Sequence, residues 1–412
     1  MIENRLVTDN RRTEYYEKFS TAEYESRYER VRELLSDANV EAAIIYGNGG
    51  LLTGNQTNVD YLTNYRGEFM TYLVFFADPD KKPTLYCGLS NHLQYLKEVS
   101  VVDDIRLMIP NPAAKLTERL DEANVSGDVG LVGLDRRYQY SIPHEHHHSL
   151  SKTLDGELID LTAEFTKLHS IKSEEELEWI RKGAELTDIG MEALVEAAEP
   201  GVREYELEAA IINAYQQEGG DVNFTFINSA PMDGAEPGEA VTWKSASNRK
   251  IQNGDIITTE FSASYGGYSG QIHRPIAVGQ EPTKTYQDMW EVANEVYEGM
   301  IDAIRAGNTA QDVADATTPI ENSQYKIYDV LLHGFGNGYL HPFVGTHDSN
   351  YWPGGDDPIT ADWTFEENQV VVVQPNILTE DETKGFQLGT TLIVKDGDPE
   401  IIQKYPVEFL QV

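Results

Sequence analysis

Apolar residues follow two different spacings in the first part of the chain. Between residues 20 and 37 they recur every three to four positions, which predicts an amphipathic helix. Short apolar runs at Ala42–Tyr46, Tyr72–Phe76 and Pro83–Cys87 have the length of strands and are separated by turn-forming residues. Helices and strands alternate in this way to about residue 165, which predicts an α/β domain.

The pattern changes after residue 167. Two helices are predicted, Glu174–Glu199 and Glu204–Glu218, and the second ends at a Gly-Gly pair that favours helix termination. One more helix is predicted from about Tyr286 to Ala306. Strand-like segments make up most of the remainder: Asn223–Asn228, Asp255–Ser264, Pro275–Val278, Val370–Gln374, Thr390–Val394 and Val407–Gln411. We therefore expect an α+β protein with two domains, 1–167 and 168–412.

The net charge of the chain argues against two classes of binding partner, nucleic acid and membrane. Of 412 residues, 69 are acidic and 32 are Lys or Arg, so the formal net charge is −37. Phosphate backbones and anionic lipids find no basic surface on such a chain, so neither nucleic acid nor membrane is an expected partner. A surplus of this size favours a halophilic or salt-tolerant source, because salt screens the self-repulsion. The alternative is an acidic protein from ordinary conditions.

Cysteine content and apolar runs bear on the compartment. Cys87 is the only cysteine, so the chain forms no internal disulfide and no thiolate zinc cluster. Residues 1–12 carry scattered charges without an apolar run, unlike a signal peptide or an anchor. The longest apolar runs, such as Val370–Val373, are too short to span a bilayer. We expect a soluble, cytoplasmic protein.

Several short strings occur in a fixed order along the second half. They are Ser170-Ile171-Lys172-Ser173, Pro200-Gly201-Val202, Asn253-Gly254-Asp255-Ile256, Gly267-Tyr268, Arg274, His333-Gly334-Phe335-Gly336 and Gly385. In this order they resemble the creatinase, prolidase and aminopeptidase P superfamily over about residues 168–412, and Asn58–Arg66 resembles its N-terminal domain. The resemblance implies a pita-bread C-terminal domain, a smaller creatinase-type α/β N-terminal domain and a homodimer.

Metal-binding members of this superfamily hold two divalent cations with two Asp, one His and two Glu, and a water shared by the cations becomes the nucleophile. The matching positions here are Glu260, Gln271, Asn337, Gln374 and Gly389. Glu260 is the one carboxylate among them. Amides can form hydrogen bonds but do not supply the negative charge that two dications require. The resemblance therefore implies a metal-free branch without a cofactor.

A metal-free member would resemble creatinase and ectoine hydrolase, in which side chains serve as acid and base. The catalytic His of creatinase corresponds to Trp243 here, so another group must transfer protons. His273 lies two residues after Gln271, and strand alternation places both on one face. We expect His273 to be that group, with a buried structural role as the alternative. Glu260 is expected to be a nucleophile or an anionic clamp for a cationic substrate, and the alternative is pairing with Arg274 or another cation.

His333 is the third catalytic candidate, and for it and His341 the alternative is a packing role. The expected substrate-binding residues are Trp243, Gln271, Arg274, Asn337, His341 and Gln374. The histidine-rich run at 143–148 is interpreted as a surface feature of the N-terminal domain. We predict a metal-independent hydrolase that cleaves a C–N bond of a small polar nitrogen compound. The alternatives are a non-catalytic binding protein on the same domain and an Xaa-Pro peptidase or prolidase-like enzyme.

Overall fold

A computed structural model describes residues 17–48, 57–67, 69–134, 141–240, 244–327, 330–346 and 358–412. The chain divides into two compact units, Met1–His169 and Ser170–Val412. Each unit contains both helices and sheets. The mixed α+β class expected from the sequence is therefore confirmed.

The first unit is built on one six-stranded sheet. Its helices are α1 Thr21–Asp37, α2 Thr57–Thr63, α3 Leu93–Val99, α4 Pro112–Glu122, α5 His144–Thr153 and α6 Thr162–Ser170. Its strands are β1 Ala42–Gly47, β2 Thr71–Phe76, β3 Thr84–Cys87, β4 Asp104–Leu107, β5 Val129–Val132 and β6 Leu158–Asp160. They lie in the order β4-β3-β2-β1-β5-β6, and β2 is antiparallel to both of its neighbours.

Both faces of this sheet are covered, as the alternation along β1 demonstrates. Ala43 and Ile45 join an apolar cluster that includes residues of α1. Ala42 and Ile44 point the other way, into a second cluster that includes residues of α4. A strand that is buried on both faces is continuously apolar rather than alternating, which is the pattern of Ala42–Tyr46.

The second unit combines two five-stranded sheets with a smaller one. Its helices are α7 Glu174–Ala197, α8 Glu204–Gln217, α9 Lys284–Ala303, α10 Ala310–Asp315, α11 Thr318–Glu321 and α12 Pro358–Ala361. Its strands are β7 Asp221–Pro231, β8 Asp255–Tyr265, β9 Tyr268–Ile272, β10 Ile276–Ala277, β11 Tyr325–Ile327, β12 Leu332–Gly334, β13 Leu340–Val344, β14 Val370–Val373, β15 Ile377–Thr379, β16 Gly385–Phe386, β17 Thr390–Ile393, β18 Glu400–Ile401 and β19 Leu410–Gln411. The sheets are β19-β10-β8-β7 with β9 beside β8, β13-β12-β14-β17-β18, and β11-β15-β16.

Glycines allow helix α7 to lie directly on β9. A Cβ on Gly183 would come within 2.6 Å of the Tyr268 carbonyl oxygen, and one on Gly270 within 2.5 Å of the Ala184 Cα. Larger side chains at either position would force the helix away from the strand. This contact fixes β9, the strand that carries Gln271.

A two-residue turn sets the register between β8 and β9. Gly266 and Gly267 have φ of +58° and +87°, the left-handed conformations that a tight hairpin turn requires. The resulting register pairs Phe261 with Ile272. One step further along the hairpin, Glu260 and His273 come opposite each other and face the same side of the sheet.

The net charge of −37 predicts that stability depends on salt. Because screening weakens repulsion among surface carboxylates, the melting temperature is expected to rise by several degrees between low and molar KCl. A titration with sucrose at matched osmolality separates charge screening from general exclusion of cosolvent. A flat or falling melting temperature in KCl contradicts the halophile interpretation. Among the described helices, none is long and apolar enough to cross a membrane.

Candidate functional site

The hairpin β8–β9 places three polar side chains in mutual contact. The amide Nε2 of Gln271 lies 3.1 Å from Glu260 Oε1 and 2.9 Å from His273 Nε2. Gln271 and His273 are fully buried, and Glu260 is 8% exposed. The structure therefore places residues 271 and 273 on one face, as strand alternation predicts.

The second five-stranded sheet adds two more side chains to this group. Gln271 Nε2 also donates to Gln374 Oε1 at 3.0 Å, and His333 Nε2 lies 3.2 Å from the same oxygen. Gln374 Nε2 donates to the carbonyl oxygen of Val330 at 3.0 Å, which fixes which end of the amide faces the group. Glu260, Gln271, His273, His333 and Gln374 thus form one hydrogen-bonded set, which we call the polar cluster.

Gln387 is a member of this neighbourhood that the sequence reasoning missed. Its Nε2 donates to Glu260 Oε2 at 2.9 Å, and the side chain is 3% exposed. Each carboxylate oxygen of Glu260 therefore accepts one amide N–H, from Gln271 and from Gln387. The sequence did contain a signal for Gln387. It is an amide residue two positions before Gly389, and residues two positions apart on a strand face the same side.

Arg274 was expected to bind substrate or to pair with Glu260, and its recorded hydrogen bonds are of another kind. Its guanidinium donates to the carbonyl oxygens of Pro406 at 2.6 Å and Tyr405 at 3.0 Å. It also donates to those of His273 at 2.8 Å and Gly389 at 2.6 Å. A fully buried guanidinium requires acceptors for its N–H groups, and backbone carbonyls supply them here. These contacts are those of a structural cation that holds the C-terminal segment.

Two other predicted substrate-binding residues lie near the ends of β12 and β13. Asn337 is buried, and its Oδ1 accepts a hydrogen bond from the Lys172 ammonium at 3.2 Å. A cation therefore contacts the residue that stands at the position of the superfamily's His ligand. His341 is 8% exposed, and its ring packs edge-on against Phe343 with centroids 4.7 Å apart.

The segment after Trp243 is anchored by a buried carboxylate. Glu204 accepts hydrogen bonds from the Ser229 hydroxyl at 2.6 Å, from the Lys244 ammonium at 2.5 Å and from Ser247 N at 2.8 Å. Burial acts to raise the pKa of Glu204, but hydrogen bonds from these residues outweigh it and the pKa lies below its ordinary value. The network ties residues 244–247 to β7. Trp243 itself lies outside the described residues.

His273 packs directly against Gly389, the residue that the resemblance sets at the position of the superfamily's last Glu ligand. A Cβ on Gly389 would lie 2.6 Å from His273 Cδ2 and 2.8 Å from the Val373 carbonyl oxygen. The two backbones also pair, with reciprocal N–H···O bonds of 3.2 Å between His273 and Gly389. A side chain at 389 cannot coexist with the imidazole in this position.

The residues at the five matching positions do not fit a dinuclear metal centre. Two are glutamines bonded to each other, one is an asparagine bonded to a lysine, one is a glycine, and Glu260 is held by amide donors. Across the described part of the chain, no group of three or more His, Cys, Asp and Glu side chains is arranged to hold a metal ion. Hard dications require more anionic oxygens than this arrangement supplies.

The two histidines of the polar cluster are neutral at pH 7. Burial, together with the His333 and Arg274 charges, holds the pKa of His273 well below its ordinary value. Burial lowers the pKa of His333 to about 4, although hydrogen bonds to Gly334 and Gln374 act in the opposite direction. A neutral imidazole beside a carboxylate can accept a proton from water and pass it on.

Comparison with known protein families agrees with this architecture. The model of the creatinase/prolidase N-terminal domain matches residues 27–171, and that of metallopeptidase family M24 matches residues 178–396, more than half of the chain. The chain belongs to metallopeptidase family M24. The pita-bread superfamily expected from the sequence strings is therefore confirmed.

Relatives of this M24 member include hydrolases of two kinds. Creatinase from Bacillus sp. is 24% identical, with 94% of this chain and 92% of the creatinase covered. Xaa-Pro dipeptidase from Pyrococcus furiosus is 25% identical, with 59% and 66% covered. The crystal structure of X-Pro aminopeptidase from Thermotoga maritima aligns with a TM-score of 0.77 at 19% identity, covering 94% of this chain and 99% of that one. The structural likeness shows a common fold.

Proposed function

We propose that this M24 member is a metal-independent hydrolase that cleaves a C–N bond of a small polar nitrogen compound. The observation that carries the proposal is the contact between Gly389 and His273. An imidazole occupies the space that a metal-binding glutamate would need at residue 389. A side chain that can transfer protons thus lies against residue 389, which supports a reaction that uses no metal.

The polar cluster can supply the acid–base chemistry of such a hydrolysis. Neutral His273 accepts a proton from water as the water oxygen bonds to the substrate carbon. The C–N bond then breaks, and the same proton passes from His273 to the departing nitrogen. Glu260, whose two oxygens accept amide hydrogen bonds from Gln271 and Gln387, is the carboxylate of the polar cluster and can hold a cationic group of the substrate.

Metal content tests this proposal against the Xaa-Pro peptidase alternative. Protein purified with Mn, Co and Zn in the medium is expected to carry far less than one of these ions per chain. Hydrolysis is expected to be unchanged by a chelator, because the residues at the ligand positions lack the charge that dications require. The measurements are elemental analysis and turnover of creatine, ectoine and Gly-Pro with and without EDTA. About two ions per chain with chelator-sensitive cleavage of Gly-Pro would favour the peptidase instead.

A further inference from the structure

Asn376 is a buried polar residue whose side chain has no hydrogen-bond partner in the part of the chain that the structure describes. It is fully buried, and both Oδ1 and Nδ2 lack a partner there. A carboxamide taken out of water without new hydrogen bonds destabilises the fold, so an apolar side chain would suit this place better. Such a group in a folded protein calls for an explanation, and a bound molecule that completes its hydrogen bonds provides one.

The register of the small sheet brings Asn376 towards the polar cluster. Strand β15 pairs with β16 so that Ile377 lies opposite Phe386. Extending this antiparallel pairing by one residue places Asn376 opposite Gln387. Residues that lie opposite each other have their side chains on the same face of the sheet. Gln387 is the residue that donates to Glu260 Oε2 at 2.9 Å. Asn376 is therefore expected on the face of the small sheet from which Gln387 contacts Glu260.

Two more buried atoms, both in the polar cluster, have no hydrogen-bond partner among the described residues. Gln271 Oε1 is an acceptor, because Nε2 of the same amide faces the oxygens of Glu260 and Gln374. The second atom is His273 Nδ1, which donates or accepts according to the tautomer of the imidazole. The cluster thus offers an acceptor at Gln271, a ring nitrogen at His273 and, at Asn376, a group that both donates and accepts.

We propose that Asn376 is a substrate-binding residue and that the site takes compounds with a carboxamide or ureido group. An N–H of that group donates to Asn376 Oδ1, and its carbonyl oxygen accepts from Asn376 Nδ2. Naming the ligand as a substrate rests on the proposed hydrolase function, whereas binding itself does not. An amidinium offers N–H donors alone and leaves Nδ2 without an acceptor, so it fits this residue less well.

The test uses Asn376→Leu, which keeps the branching of the side chain and removes both polar atoms. Its melting temperature is expected to equal or exceed that of the wild type, because an unsatisfied buried group is lost. The control is Asn228→Leu, since Asn228 Nδ2 donates to the Glu239 carbonyl oxygen at 2.7 Å, and its loss is expected to lower the melting temperature. If the melting temperature of Asn376→Leu falls as far as that of Asn228→Leu, Asn376 has a structural role and the proposal is overturned.

Binding is measured by calorimetry with N-carbamoylglycine and N-amidinoglycine. The first compound has a carbonyl oxygen at the position where the second has an amidinium nitrogen. We expect Asn376→Leu to weaken binding of the carbamoyl compound at least about tenfold more than binding of the amidino compound. Equal weakening, or no binding of N-carbamoylglycine to the wild type, would overturn the assignment of the ligand class. Binding of the carbamoyl compound without its hydrolysis would support Asn376 and count against the hydrolase proposal alone.

Discussion

The variant His273→Ala is expected to turn over substrate about 100-fold more slowly than the wild type, or worse. His273 is the neutral imidazole that faces Gln271 and lies opposite Glu260, so its loss removes the group proposed to move the proton. The measurement is kcat and KM for the substrate identified in the hydrolysis assay. Added imidazole is expected to restore part of the rate, because the truncated side chain leaves room beside Gly389.

Two further variants separate catalysis from packing. His169→Ala removes an equally buried imidazole from the first unit and is expected to change stability without a comparable loss of turnover. His273→Gln keeps a hydrogen-bonding side chain next to Gln271 but cannot transfer protons at neutral pH. Full activity in His273→Gln, or unfolding of both His273 variants by circular dichroism, would favour the structural role instead.

Glu260→Gln is expected to reduce kcat/KM by about 100-fold or more, because the substitution removes the single carboxylate of the polar cluster. It also sets a third amide against the N–H donors of Gln271 and Gln387, which both require an acceptor at Glu260. Steady-state kinetics over a wide substrate range measures the effect.

The division between kcat and KM identifies the role of Glu260. If Glu260 clamps a cationic group, KM carries most of the loss and Glu260→Asp, which keeps the charge, recovers part of it. If Glu260 is a nucleophile, the reduction appears mainly in kcat. Glu260→Asp then does not restore activity, because its shorter side chain places the attacking oxygen too far from the substrate. Wild-type kinetics in Glu260→Gln would remove the residue from the site.

The helices and strands were predictable where local signals were strong. The sequence places the start of α7 at Glu174, and the structure agrees because Ser173 and Glu176 form a capping box. The last strand was predicted over Val407–Gln411 and spans Leu410–Gln411. Its partner β10 has only two residues, so pairing and not apolar character limits its length.

Strand periodicity made only part of the candidate site predictable from the sequence. Gln271 and His273 share a face because side chains alternate along a strand. Gln387 was not predicted, because it meets Glu260 across 127 positions of sequence and no local pattern reports such a contact. The backbone contacts of Arg274 were equally hidden, since a charged residue is expected at the surface until the fold supplies buried acceptors.

The contact between His273 and Gly389 makes these two positions mutationally interdependent. Glutamate at 389 would collide with the imidazole, since even its Cβ would lie 2.6 Å from Cδ2 of His273. A small residue at 273 alone would leave a void next to a glycine, which is destabilising in a close-packed interior. Each single replacement is therefore worse than the pair, and their effects do not add. An evolutionary path that exchanges imidazole for carboxylate at this contact must therefore pass through an unfavourable intermediate.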